Sequence, residues 1–95
     1  MSSKTVISPG ERLRIELKDR GIKQKDFAKK IEIPYTMLNK FINGNRPVKA
    51  DFALLLEKSL EIDADYWLNL QARYNLYRAR NNAKLMEMVN RISKI

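Results

Sequence analysis

The sequence predicts an all-α fold, a five-helix domain with a long C-terminal helix or helical tail. Three observations predict it. Apolar residues fall at helical spacing, as in Phe27, Ala28 and Ile31 and again in Leu38, Phe41 and Ile42. Helix-start and helix-stop residues punctuate the chain, with Ser8-Pro9 and Asp63 as starts and Gly21 and Asn43-Gly44 as stops. Beyond Asp63 neither glycine nor proline occurs, so nothing of that kind ends the last helix.

Ser8-Pro9-Gly10-Glu11 opens helix one, with an N-cap serine, proline at the first helical position and glutamate three residues on, the reciprocal capping pattern. The helix runs to about Arg20 and stops at Gly21, with Leu13 and Leu17 as its inner stripe and Arg12, Glu16, Lys18 and Asp19 outward. Helix two begins near Gln24. Helix three begins near Tyr35, where Pro34 pre-sets the first turn, and ends at Asn43-Gly44, because glycine tolerates the left-handed conformation common at helix C-termini. Small Ala28 lets these two helices approach closely, while Tyr35, Thr36, Asn39, Lys40 and Asn43 stand on the opposite side of the second, and Met37 is assigned to packing at the domain edge. Two short amphipathic helices joined by a tight turn over residues 22 to 47 have the layout of a helix-turn-helix, whose second helix presents side chains to base edges.

Arg46-Pro47-Val48 then turns the chain into helix four, about Ala50 to Leu60, with Phe52, Leu55, Leu56, Ser59 and Leu60 as its buried side. Asp63 is the expected N-cap of helix five. Apolar residues recur at Trp67, Leu70, Tyr74 and Tyr77, then at Leu85, Met88, Ile92 and Ile95, close to a heptad seam interrupted by Asn81. A continuous helix from Asp65 to Ile95 would extend roughly 45 Å, longer than the domain it leaves. Alternatively Asn81-Asn82 is a break and residues 83 to 95 form a separate short helix or a frayed tail. The expected organisation is a flexible N-terminus over residues 1–7, a helix-turn-helix DNA-binding and dimerisation domain over 8–80, and a helical C-terminal extension over 81–95.

Composition bounds the function. Ninety-five residues with 44% hydrophobic content suit one domain, and 19 Lys/Arg against 11 Asp/Glu leave a charge of +8, which favours a polyanionic partner. The charge is uneven: residues 1–50 carry +7, residues 51–72 carry −4 and residues 73–95 carry +5. Basic charge thus concentrates on the half with the helix-turn-helix and in the tail. With no cysteine and no histidine, a disulfide framework, a zinc site and Ser-His or Cys-His catalysis drop out together. No catalytic residue, metal or other cofactor is expected. No apolar run approaches a signal peptide or a membrane span, so no membrane association is expected and the cytoplasm is the expected compartment.

Pro9-Gly10-Glu11, Gln24, Asn43-Gly44-Asn45-Arg46-Pro47, Ala50-Asp51 and above all Tyr66-Trp67-Leu68-Asn69-Leu70-Gln71-Ala72-Arg73-Tyr74 resemble the HigA family of antitoxins, within the phage-repressor-like (XRE/Cro-type, lambda-repressor-like) helix-turn-helix proteins. The resemblance covers about residues 8 to 80. It implies a five-helix domain that acts as a homodimer, represses its own operon by binding palindromic double-stranded operator DNA, and neutralises a HigB-type ribonuclease toxin of a type II toxin-antitoxin system. A free-standing phage-type repressor without a toxin is the alternative. The sequence departs from the family pattern at Glu32 and Glu61, where turns usually carry glycine, and at Lys23 and Lys49, where Ser or Thr caps are common and two cations near DNA stand instead.

Carried over residue by residue, the resemblance implies phosphate contacts at Lys23, Gln24, Asn43 and Arg46. Tyr35 and Thr36 match the leading recognition positions and Lys40 the position one turn later; with Asn39 they are the candidates for base edges. Thr36 can bond a base edge or pack its methyl on thymine, Lys40 can reach guanine acceptors and Asn39 suits adenine. Tyr35 can equally fold its ring onto helix two. Trp67, Leu70, Tyr74 and Tyr77 are the candidates for a dimer interface on helix five, with Trp67 readable also as a core aromatic whose N–H is satisfied at the rim. An enzyme is the weakest class, since the Asp/Glu pairs lie on outward helix faces where solvated charge is the ordinary explanation.

Overall fold

Ser8 begins the first helix as a cap should: in the computed structural model, which describes residues 6–95, its hydroxyl accepts the Glu11 N–H at 3.1 Å and α1 runs Pro9–Asp19. Of the N-terminal segment expected over 1–7, all but Val6 and Ile7 lies outside the described residues. The capping is not reciprocal, because the Glu11 carboxylate turns to the Arg14 guanidinium. After Gly21, α2 (Gln24–Lys30) and α3 (Tyr35–Ile42) cross at the turn through Glu32 and Ile33. α4 (Ala50–Leu60) and α5 (Ala64–Arg80) complete the domain. Glu32 and Glu61 take positive φ, 60° and 58°, so these turns keep the left-handed geometry that glycine would adopt without strain.

The core is built from one stripe of each helix. Leu13 and Leu17 of α1 meet Phe27 and Ala28 of α2, Leu38, Phe41 and Ile42 of α3, and Phe52, Ala53, Leu56 and Leu60 of α4 in one buried cluster that Trp67 of α5 closes. Phe41 and Phe52 stack with centroids 3.6 Å apart, which fixes α3 against α4. Leu55 is a correction: expected inside, it is 37% exposed, because Phe52, Leu56 and Leu60 already occupy the inner face of α4. Asp63 stands at the N-cap of α5 without a side-chain capping bond, and Glu57 of α4 accepts the Ala64 N–H at 3.1 Å in its stead.

A polar clasp on α1 ties the outer surface. Glu16 pairs with Arg12 at 2.8 Å and with Arg20 at 2.7 Å; Arg20 also donates to the Leu60 carbonyl at 2.8 Å and Arg12 to the Tyr66 hydroxyl at 3.1 Å. One of the orphan carbonyls at the end of α4 is thereby satisfied. The hydrogen bond from Arg20, reinforced by Arg12, holds the Glu16 carboxyl below its ordinary value against the opposing effect of burial.

The last helix does not continue. Asn81 donates its side-chain N–H to the Tyr77 carbonyl at 2.9 Å, and Asn82 accepts the Leu85 N–H at 3.0 Å, so one asparagine ends α5 and the next caps α6 (Ala83–Asn90). Of the two alternatives, a continuous helix to Ile95 and a break at Asn81-Asn82, the chain takes the break, with a separate short helix after it. α6 contacts α5, contains no buried residue, and leaves Leu85 and Met88 exposed at 38% and 55%; Ile92, at 76%, lies past its end, so the helical extension expected over 81–95 stops at Asn90. A radius of gyration of 16.0 Å, against about 12 Å for a compact chain of this length, reflects that projecting end.

Candidate nucleic-acid interface

The outward side of α3 is framed at both ends by basic clefts. At its start, Tyr35 lines a concavity with Lys18 and Arg14 of α1, with Ile22, Lys23 and Gln24, and with Lys25 of α2. The Lys25 ammonium lies 5.6 Å from the Tyr35 ring centroid, a cation–π contact that links the start of α3 to α2. At the far end of α3, Lys40 lines a larger cleft of about 670 Å³ with Asn45, Arg46 and Lys49 over an apolar floor that includes Met37, Phe41 and Phe52. Between these ends Thr36 is exposed and Asn39 half-buried.

The recognition surface is thus held from beneath by packing. Leu38, Phe41 and Ile42 are buried, so α3 cannot roll without opening the core, and its outward residues keep a fixed bearing. Asn43 caps the helix and Gly44 follows at φ 78°, while Asn45 and Arg46 both direct their N–H groups to the Lys40 carbonyl at 2.8 and 3.2 Å. That wrap projects the loop past the helix end. The Arg46 guanidinium lies 5.5 Å from the Phe41 ring centroid, which limits its swing while leaving the residue exposed.

Charge follows the same division. Among the described residues the ion pairs are those of Arg12, Arg14 and Arg20 with Glu11 and Glu16 on α1, so Lys23, Lys25, Lys40, Arg46 and Lys49 remain unneutralised around α3. Such an array suits a phosphate backbone flanking a groove. Reading the sequence singled out Lys23, Gln24, Asn43 and Arg46 but missed Lys18 and Lys25. Both lie on outward helix positions whose proximity to Tyr35 comes only from the packing of α1 and α2 against α3.

The four residues expected at a dimer interface divide. Trp67, at 0% exposure, takes the core reading of its two, and Leu70, at 8%, also lies in the protomer's interior and keeps little surface for a partner. The Trp67 indole N–H, expected to be satisfied at the rim, is buried with no acceptor among the described residues. Tyr74 and Tyr77 are half-buried, and the exposed Leu76, at 51%, lies between them in sequence.

A helix-turn-helix family model matches residues 13–67, from α1 into the first turn of α5. Over 89 residues the chain is 30% identical to the HTH-type transcriptional regulator YbaQ of Escherichia coli (strain K12), covering 93% of this chain and 79% of that one. It resembles, with a TM-score of 0.85 and 29% identity, the structure of an addiction module antidote protein of a HigA family from Coxiella burnetii, over 97% of this chain and 100% of that one. Pseudomonas aeruginosa antitoxin HigA, solved with the higBA promoter, is similar at a TM-score of 0.82 and 29% identity, over 96% and 99% of the two chains. Matched over more than half its length by the family model and along nearly all of it by these proteins, the chain belongs to the helix-turn-helix family, in its HigA-like, XRE/Cro-type branch.

Proposed function

We propose that this protein is a sequence-specific DNA-binding antitoxin of a type II toxin-antitoxin system, which represses its own operon as a homodimer on a palindromic site and neutralises a HigB-type ribonuclease toxin. The observation that carries the DNA-binding half is the outward side of α3, where Thr36 and Lys40 stand one turn apart and unneutralised cations flank both ends. The antitoxin half is supported by the end-to-end likeness to the Coxiella burnetii antidote protein. Nothing catalytic is asked of the chain, in keeping with its family. The test is salt-dependent binding of the purified protein to its own promoter fragment, with and without the product of the neighbouring gene. Tight, salt-steep binding of promoter over random duplex, and a stable complex with a small ribonuclease, are expected. A protein that binds its promoter but finds no partner next door is a free-standing repressor.

Within that reading Lys40 contacts a base and Arg46 a phosphate. Lys40→Ala is expected to cost about 1–3 kcal/mol on the specific site and to relax preference at one base pair per half-site. Arg46→Ala is expected to weaken operator and random DNA alike and to reduce the salt slope by about 1. Equal losses on both DNAs for Lys40→Ala would move Lys40 to the phosphate set.

The dimer is assigned to the end of α5 and to α6, where Leu76, Leu85, Met88, Val89 and Ile92 present an apolar row that the protomer does not cover. On a palindromic site the recognition helices of the two copies are expected about 34 Å apart, one turn of DNA. Removing residues 82–95 is then expected to take away the α6 share of the helical signal and to leave α1 to α5 folded. The dimer dissociation constant should rise about tenfold or more, as losing at least one buried Leu-sized contact per protomer requires. Sedimentation equilibrium of the full and shortened chains reads the difference, and equal dissociation constants would place the interface elsewhere.

A further inference from the structure

We propose that Gln71 of α5 is a positioning residue for DNA binding: its side chain holds the loop between α3 and α4 that carries Asn43 and Arg46. The Val48 N–H donates to Gln71 Oε1 at 2.8 Å across 23 residues of sequence, and Gln71 Nε2 donates in turn to Asn75 Oδ1 at 2.9 Å, one turn further along α5. The second bond orients the amide so that its oxygen, not its nitrogen, meets the loop.

The loop needs this tether at its far end. Gly44, Asn45 and Arg46 are tied back to the Phe41 and Lys40 carbonyls, which anchors the near end to α3. Pro47 has no N–H, and Lys49 at the N-cap of α4 makes no side-chain capping bond. Beyond Arg46, Val48 is the loop residue whose backbone donor has a partner among the described residues, and that partner is Gln71. Asn45, Arg46, Gln71, Tyr74, Asn75 and Arg78 line one cleft between the loop and α5, so the tethering side chain and the exposed Arg46 border the same concavity.

A loop fixed before DNA arrives avoids the entropy of being ordered on binding, and that advantage acts on phosphate contacts, which do not depend on sequence. This inference rests on the reading of Arg46 as a phosphate contact. Gln71→Leu in the full chain removes the acceptor at similar size. Loss of one hydrogen bond's ordering effect is expected to weaken the promoter fragment and a random duplex by the same factor, about three- to tenfold. The ratio of the two affinities stays unchanged, and the Val48 amide exchanges faster.

The deciding measurement is the double-mutant cycle with Arg46→Ala. If the tether acts through Arg46, Gln71→Leu adds little once Arg46 is gone. Additive losses, or no loss from Gln71→Leu while Arg46→Ala still flattens the salt slope, overturn the role of Gln71 alone. An unchanged slope for Arg46→Ala overturns the phosphate reading and this inference with it. If Gln71→Leu does not fold, Asn75→Ala, which removes only the orienting bond, is expected to give the same pattern at smaller amplitude, and its failure to do so also overturns the role.

Discussion

Gly10→Ala is expected to destabilise the fold by about 2–3 kcal/mol, although alanine is the better helix former. A Cβ at Gly10 would stand 2.1 Å from the Phe41 carbonyl oxygen, 2.5 Å from that of Ile42 and 2.8 Å from the Ile42 carbonyl carbon. These are backbone atoms, so no side chain can swing aside. To reach an ordinary contact near 3.5 Å, the start of α1 must withdraw by more than about 1 Å from the end of α3. That contact has a favourable electrostatic sense, since the positive N-terminal end of α1 faces the carbonyls at the negative end of α3. The roughly 1 kcal/mol that alanine gains in helix propensity is too small to offset both losses. Urea unfolding should show a lower midpoint at unchanged slope. A higher midpoint would mean that α1 relaxes at little cost. Because the displaced carbonyls belong to the last turn of α3, the loop bearing Arg46 should shift with them, and operator affinity should fall further than stability alone explains.

The architecture was legible wherever it is set by neighbours in sequence. Ser8, Pro34, Gly44 and the stripes of α1 to α4 act over three or four residues; α1, α3 and α4 begin and end, and α2 begins, within about a residue of the sequence boundary. Local reading failed where the outcome depends on what the rest of the chain covers. Leu55 belongs to an apolar stripe that α4 has more of than the core can take, and Trp67 and Leu70 look like an interface stripe until α5 is seen to lie on α4 and α1. Asn81-Asn82 was legible only as one of two outcomes. Glycine and proline are the usual breakers, whereas here side-chain hydrogen bonds from two asparagines stop one helix and start another.

The candidate interface divides the same way. Tyr35, Thr36, Asn39 and Lys40 are set on one outward helix side by local periodicity. Lys18, Lys25 and Gln71 come to that region only through the packing of α1, α2 and α5, and no pattern along the chain marks them. Gln71 stands within the stretch that carries the family resemblance, yet its bond to Val48 cannot be read from either residue alone.

Trp67→Ala is expected to have the largest effect of all, about 3–5 kcal/mol, because the indole is fully buried and is the largest side chain in the core. Against a total stability of about 5–15 kcal/mol for a small domain, such a loss removes about a third or more of the total for most of that range and leaves a substantial unfolded fraction at its lower end. The Trp67→Phe variant separates the contributions of ring volume and N–H. The buried N–H has no acceptor among the described residues, so phenylalanine leaves a smaller void and also removes an unsatisfied donor that costs about 1–3 kcal/mol. A loss of about 1 kcal/mol or less is therefore expected for Trp67→Phe. A loss as large as that of alanine would show that the N–H is hydrogen-bonded in solution. Protein concentration separates core from interface: if Trp67 serves the protomer, the destabilisation by Trp67→Ala relative to the parent is the same at micromolar and at hundred-micromolar protein. If the indole instead meets a second copy, the deficit should grow with concentration until both proteins are dimeric, because mass action stabilises the tighter-binding parent first.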